Sequence, residues 1–120
     1  MYATIEPPMI DIREYLDRGG HSPFREWRSR LNVEARRKVT TALYRVGLGN
    51  FSNVKGVGAG VFECRINFGP GYRIYFGKDG EQVVILLGGG TKQRQQNDIH
   101  LALERWQDYR LRKKEQEQGE

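Results

Sequence analysis

Between residues 61 and 87 apolar and polar positions alternate through two runs and then merge in a third. In the first run Phe62, Cys64, Ile66 and Phe68 fall on one side of an extended chain, and Glu63, Arg65 and Asn67 on the other. In the second run Tyr72, Ile74 and Phe76 oppose Arg73 and Tyr75. The third, Val83-Val84-Ile85-Leu86-Leu87, is apolar at every position, which predicts a central strand covered on both faces. Gly69-Pro70-Gly71 separates the first two runs and Lys78-Asp79-Gly80-Glu81 the last two. Asp-Gly between β-formers predicts a type I′ hairpin, whose central residues both take positive φ. The pattern predicts an antiparallel meander over 61–68, 72–77 and 82–87.

On either side of the meander the period changes. Residues 9–15 alternate and predict a first strand that begins after Pro7-Pro8. Ser22-Pro23 predicts a helix start, with Ser as N-cap and Pro at the first helical position, and Phe24, Trp27 and Leu31 form its apolar face. Asn32 caps a second helix with the stripe Val39, Ala42, Leu43 and Val46, ended by Gly47-Leu48-Gly49. The two helices predict a helical hairpin. Residues 51–57 predict another strand, followed by the glycine-rich turn Gly56-Val57-Gly58-Ala59-Gly60. No helix follows it, so its spacing is not a dinucleotide fingerprint. After Gly88-Gly89-Gly90 a third helix carries the stripe Ile99, Ala102, Leu103 and Trp106; Lys92 and Gln95 project onto the same stripe. Residues 111–120 are charged with mixed sign and read as either a helix extension or a disordered tail. The whole predicts a single α+β domain over 1–110: an antiparallel sheet of four to five strands, an N-terminal helical hairpin and a C-terminal helix.

Composition narrows the function classes. The 120 residues suffice for one core and not for two domains. No run approaches the roughly 18 apolar residues of a membrane helix, and no secretory signal is visible at the start. The one cysteine, Cys64, excludes an internal disulfide and a thiolate metal site, fits a reducing cytoplasm, and reads as a small buried apolar residue rather than a nucleophile. Twenty Lys and Arg against 15 Asp and Glu give +5, which favours a polyanionic or acidic partner over a membrane.

The chemistry-bearing residues gather on the polar side of the meander, where Glu63, Arg65, Arg73 and Tyr75 lie close together. Two arginines on a strand pair cost stability unless something occupies them. Either they pair with Glu63 or Asp98 as a surface network, or they form an anion site suited to phosphate. Lys92 at the start of the third helix has the same two readings, a lysine snorkelling at the core margin or a charge added to a helix N-terminus. Arg36-Arg37-Lys38 is a solvated face or a nucleic-acid or partner surface. Taken as part of a mostly polar face, Arg73 is expected to tolerate truncation at a cost of about 1 kcal/mol or less.

The residues Leu48-Gly49-Asn50-Phe51, Val54-Lys55, Gly58, Glu63-Cys64-Arg65-Ile66, Gly69-Pro70-Gly71-Tyr72-Arg73-Ile74-Tyr75-Phe76 and Leu86-Leu87-x-Gly89-Gly90-x-Lys92-x-x-Gln95-x-x-Asp98-Ile99 resemble the HigB-like branch of the RelE/ParE toxin superfamily. That branch is often called "addiction module killer protein". The resemblance spans residues 9–106. It implies a type II toxin that is neutralised by a cognate antitoxin, commonly a helix-turn-helix DNA-binding protein. RelE-like members cut mRNA in the ribosomal A site; ParE-like members share the fold and poison DNA gyrase. Cleavage by a 2′-hydroxyl needs a base, cations for the phosphorane charge and an acid for the departing 5′-oxygen, with no metal and no cofactor. Arg73 matches the glycine-tyrosine-arginine position of RelE-like toxins. Arg65 and Lys92, with Arg94 beside it, complete the expected clamp; Lys55 and Tyr75 join them as expected RNA contacts. RelE-type enzymes place a tyrosine on or near the last helix. The matching positions here hold Asp98, Ile99 and His100, so His100, Asp98, Glu63 and Tyr75 all stand as candidates for proton transfer.

Overall fold

In the computed structural model, which describes Met1 and residues 9–119, the chain order is β1 (Asp11–Glu14), α1 (Pro23–Ser29), α2 (Val33–Gly47), β2 (Val54–Gly58), β3 (Val61–Ile66), β4 (Tyr72–Lys78), β5 (Val83–Thr91), a 3-10 turn (Lys92–Arg94) and α3 (Gln95–Gln118). Pro7-Pro8, expected to open the first strand, lies outside the described residues. The five strands form one sheet in the order β1-β5-β4-β3-β2. The fold is α+β, as the pattern predicts, but the sheet is mixed rather than antiparallel. β2 to β5 run antiparallel to their neighbours, whereas β1 pairs parallel with β5, Asp11 opposite Val83 and Glu14 opposite Leu86. No turn ties β1 to a partner, so alternation alone could not fix its direction.

Both helix starts follow the capping chemistry. Ser22 Oγ accepts from Arg25 N at 3.0 Å with Pro23 behind it, and Asn32 Oδ1 accepts from Ala35 N at 2.8 Å. α1 packs chiefly on β5 and α2 on β3 and β1, so each helix of the expected hairpin rests on the sheet more than on the other. Their face of the sheet buries Phe24, Trp27, Val39, Val46, Cys64, Ile66, Ile74, Phe76, Val84 and Leu86.

The opposite face is not simply polar. α3 lies across it and seals a second core of Tyr15, Val61, Tyr75, Ile85, Leu87, Ala102 and Trp106. The apolar run 83–87 alternates between these two cores, which is why it lacks polar positions. Gly88-Gly89-Gly90 does not end the meander either; it is paired strand within β5. A Cβ at Gly89 would stand 2.3 Å from the Trp27 ring, and one at Gly77 of β4 2.3 Å from Trp106. The glycines admit one indole on each face, α1's on one and α3's on the other.

The Asp79-Gly80 turn differs from the type I′ expectation. Gly80 has φ of 74° but Asp79 stays at negative φ, and Asp79 N donates to Val83 O at 2.9 Å across a four-residue loop. The Asp79 side chain is engaged elsewhere: its carboxylate accepts from Tyr109 Oη at 2.6 Å and from Lys113 Nζ at 2.6 and 2.7 Å. Asp108 likewise accepts from Tyr15 Oη at 2.6 Å and pairs with Arg112 at 2.8 Å. α3 runs through Gln118, so of the two readings of the charged C-terminal stretch, residues 111–118 follow the helix extension.

Candidate functional site

Register places the polar residues in two adjacent rows across the α3 face. One row runs Lys55, Glu63, Tyr75, Gly88 over β2, β3, β4 and β5; the next runs Arg65, Arg73, Gly90 over β3, β4 and β5. Directly opposed residues of antiparallel strands share a face, so all these side chains converge where α3 begins.

Glu63 is the centre of the cluster. Its side chain has no exposure, and a buried carboxylate is tolerated only when its charge is compensated. Gln95 Nε2 donates to Oε2 at 2.8 Å and Tyr75 Oη donates to the same oxygen at 3.2 Å. Around Oε1 stand Arg73 Nε at 3.4 Å, Arg65 Nε at 3.5 Å and Lys55 Nζ at 3.9 Å. Arg73 Nε is buried and makes no aligned hydrogen bond, so its tie to Glu63 is one of charge. Its Nη1 donates to Gly71 O at 3.2 Å, and Lys92 N donates to that same carbonyl at 2.9 Å. The Gly-Pro-Gly turn thus joins Arg73 to the start of the 3-10 turn that carries Lys92. Gly71 takes φ of 79°, open to glycine without strain.

Asp98 meets the cluster from α3. Its carboxylate lies against Gly90, the cross-strand partner of Arg73: a Cβ at Gly90 would stand 1.9 Å from Oδ2. Burial raises the Asp98 carboxyl above its ordinary range, with Arg94 and then Arg105 opposing the shift. It borders a cleft of about 280 Å³ shared with Trp27, Arg30, Arg94 and Arg105. Burial, and then the Glu63 charge, drive the Tyr75 phenol far upward, so it stays neutral at physiological pH. Burial likewise pushes the Cys64 thiol up to about 11, consistent with an inert core residue.

The structure therefore brings together Lys55, Glu63, Arg65, Arg73 and Tyr75, ties the Lys92 backbone to them through Gly71, and sets Asp98 against Gly90 at their edge, where it opens with Arg94 onto a separate cleft. It separates others. His100 is exposed and faces Glu104 one turn on, Nε2 to Oε1 3.2 Å, and is not among the partners of Glu63. Arg94 is exposed and borders the Asp98 cleft instead of the Glu63 cluster. Two expected roles are corrected. Tyr75 is fully buried with its hydroxyl on Glu63 and presents no face for RNA; Glu63 is fully enclosed by its partners and cannot reach a substrate hydroxyl as a base. Gln95 was not among the expected site residues, yet it makes the shortest bond to Glu63. The signal was its position on an otherwise apolar stripe, since a polar side chain there must find a buried partner.

No family model matches the chain. An uncharacterized protein of Haemophilus influenzae (strain ATCC 51907 / DSM 11121 / KW20 / Rd) is 42% identical over 80 residues, which cover 66% of this chain and 81% of the relative. At that identity and coverage the chain belongs to the same family as this H. influenzae protein.

Proposed function

We propose that the chain is the toxin of a type II toxin–antitoxin pair and acts as a ribosome-dependent mRNA endoribonuclease. The observation that carries this reading is the concentration of Lys55, Arg65 and Arg73 around the buried carboxylate of Glu63, three cations against one anion, with the backbone of Lys92 tied to the same group through Gly71. Such a field suits the additional negative charge of a phosphorane. Arg65 and Lys92, both exposed, would touch the scissile phosphate. Arg73, only 8% exposed, would hold the field in place from below through Glu63 and Gly71. Asp98 is the proposed proton acceptor: its carboxylate lies against Gly90, the cross-strand partner of Arg73, and its raised pKa makes it a better base than an ordinary carboxylate. In the proposed step Asp98 takes the proton of the 2′-hydroxyl, whose oxygen attacks the adjacent phosphorus. The bond to the 5′-oxygen breaks and that oxygen takes up a proton from solvent water. The products are a 2′,3′-cyclic phosphate and a free 5′-hydroxyl. The cognate antitoxin, a helix-turn-helix protein or a segment of one, would block activity by covering this cluster.

The test is to incubate the purified protein with ribosomes programmed with a defined mRNA and to map 5′ ends by primer extension. Discrete cuts inside the occupied codon, with cyclic-phosphate termini, are expected for the wild type and not for Lys92→Ala. Intact mRNA combined with growth arrest and inhibited gyrase supercoiling would move the chain to the ParE-like activity.

A further inference from the structure

A second concentration of positive charge lies outside the Glu63 cluster, in the notch where α2 crosses the β2–β3 edge of the sheet. The cleft has a volume of about 310 Å³; Lys38 and Arg45 line it from α2, seven residues and so about two turns apart, and Arg65 lines it from β3. Among the described residues no carboxylate lines it. Three asparagines, Asn50, Asn53 and Asn67, add amide donors at the rim. Asn50 Oδ1 is occupied by Ser52 N at 3.1 Å and Ser52 Oγ at 2.8 Å, which leaves its amide NH₂ to donate outward. The Lys38 ammonium rests 5.4 Å from the centroid of the Phe68 ring, a cation–π contact that holds it near the cleft.

We propose that this cleft is a second phosphate subsite, which grips the backbone of the bound RNA strand away from the cleavage point. The proposal rests on the endoribonuclease reading above and extends it. Arg65 is the link, because it borders the cleft and also stands 3.5 Å from Glu63 Oε1. A strand that crosses β3 at Arg65 has one phosphate at the Glu63 cluster and another within reach of Lys38 and Arg45. An acidic protein segment fits less well. The apolar residues of the cleft, Ala42, Val46, Val54, Cys64 and Ile66, are buried or half-buried, so an amphipathic helix finds no exposed anchor there.

The experiment uses the full chain and a short, fully 2′-O-methylated RNA, which cannot be cut, with binding followed by fluorescence anisotropy over a range of salt. Lys38 and Arg45 are both exposed, so Lys38→Ala combined with Arg45→Ala should leave the melting temperature unchanged. Each phosphate no longer neutralised on a single strand removes about 0.7 from the slope of log K against log salt, so the double variant, which gives up the one phosphate gripped in the cleft, should lose about 0.7. In the wild type the oligonucleotide should shift the side-chain amide resonances of Asn50, Asn53 and Asn67, and in the variant it should not. An unchanged slope overturns the subsite. So does an oligonucleotide slope that survives while binding to poly-glutamate is lost, which would make the cleft a protein site. Inorganic phosphate that shifts the three amides at the same concentration as the oligonucleotide also overturns it, in favour of a free-phosphate site. If the slope falls as expected while programmed ribosomes leave mRNA intact, the subsite stands and the cleavage reading alone fails.

Discussion

Arg73 Nε and Glu63 Oε1 lie 3.4 Å apart, with the two side chains 8% and 0% exposed. The pair is therefore part of the protein's interior and not of an open polar face. Removing one member leaves the other charged, buried and less compensated, a loss that ranges from about 3 to 5 kcal/mol for fully buried pairs. Arg65 and Lys55 remain near Glu63, so Arg73→Ala is expected to cost about 3 kcal/mol, well above the roughly 1 kcal/mol that the alternation pattern suggests. Chemical denaturation of Arg73→Ala, Glu63→Gln and the double variant measures this directly. The double variant should be more stable than Arg73→Ala alone, because the orphaned charge is gone. If Arg73→Ala costs less than about 1 kcal/mol, the ion pair does not carry the stability assigned to it. Loss of toxicity in Arg73→Ala is accordingly weak evidence about catalysis unless folding is measured beside it.

Asp98 separates folding from chemistry more cleanly. Its carboxyl is raised in the folded protein by burial, so the folded state holds that proton more tightly than the unfolded chain does. Stability therefore falls as pH rises from below the unfolded value, about 3.9, through the raised folded value, and the charged carboxylate is a net cost at neutral pH. Asp98→Asn should melt higher than the wild type at about pH 7, and the difference should shrink toward zero below about pH 4. It should also lose mRNA cleavage, a trade of activity for stability. A variant with an unchanged or lower melting temperature at neutral pH would contradict the burial argument; a variant that still cuts would remove Asp98 as the base.

The sheet's registers and the site's composition were legible to different degrees, for physical reasons. Alternation located Glu63, Arg65, Arg73 and Tyr75 on one side of the strands because side chains of a pleated chain have no choice of face. It did not show that α3 covers much of that side: Tyr75 shared the face of two arginines and read as polar, and the apolar stripe of Trp106 does not name the surface it packs on. Arg73 looked exposed because nothing local distinguishes a buried arginine from a surface one; its burial depends on Gly71, Gly90 and α3, each distant or featureless in sequence. Gly88-Gly89-Gly90 read as a break because glycine is a poor strand former. The partners that require glycine are distant in sequence: Trp27 over Gly89, Asp98 against Gly90 and Trp106 over Gly77.

That requirement is itself testable. A methyl at Gly89 or at Gly77 would sit 2.3 Å from an indole carbon, far inside contact distance, and each ring is pinned in a core. Neither position has positive φ, so the backbone tolerates alanine and the whole penalty is overpacking, about 1–3 kcal/mol. Gly89→Ala should disturb Trp27 and Gly77→Ala should disturb Trp106, which selective fluorescence after Trp→Phe replacement of the other indole can read. Gly20 is the control: it has φ of 82°, but a Cβ there would meet no heavy atom within 4 Å, so any cost of Gly20→Ala is backbone strain without a change in indole emission. Equal emission changes in all three variants would mean that the glycines do not seat the rings.

Asp79 of the β4–β5 turn helps to hold the C-terminal half of α3. Lys113 and Tyr109 donate to Asp79 and hold its carboxyl below the usual range, Lys113 having the larger influence. This depressed pKa contributes stability that is present above the unfolded value of about 3.9 and is lost as pH falls through the lower folded value. Asp79→Asn weakens the charge-assisted bonds and, since solvent screens this partly exposed pair, should cost about 1 kcal/mol or less at neutral pH, with the deficit closing in acid as the wild type loses the same contacts. The loss should also be local. Beyond Trp106 the helix is held mainly by Asp79 and by the Tyr15–Asp108–Arg112 group, so amide exchange in residues 110–118 should quicken while β4 and β5 keep their protection. Exchange that rises equally across the sheet would show Asp79 to be a global element of the fold; unchanged exchange at 110–118 would show that the helix end is held by something other than this carboxylate.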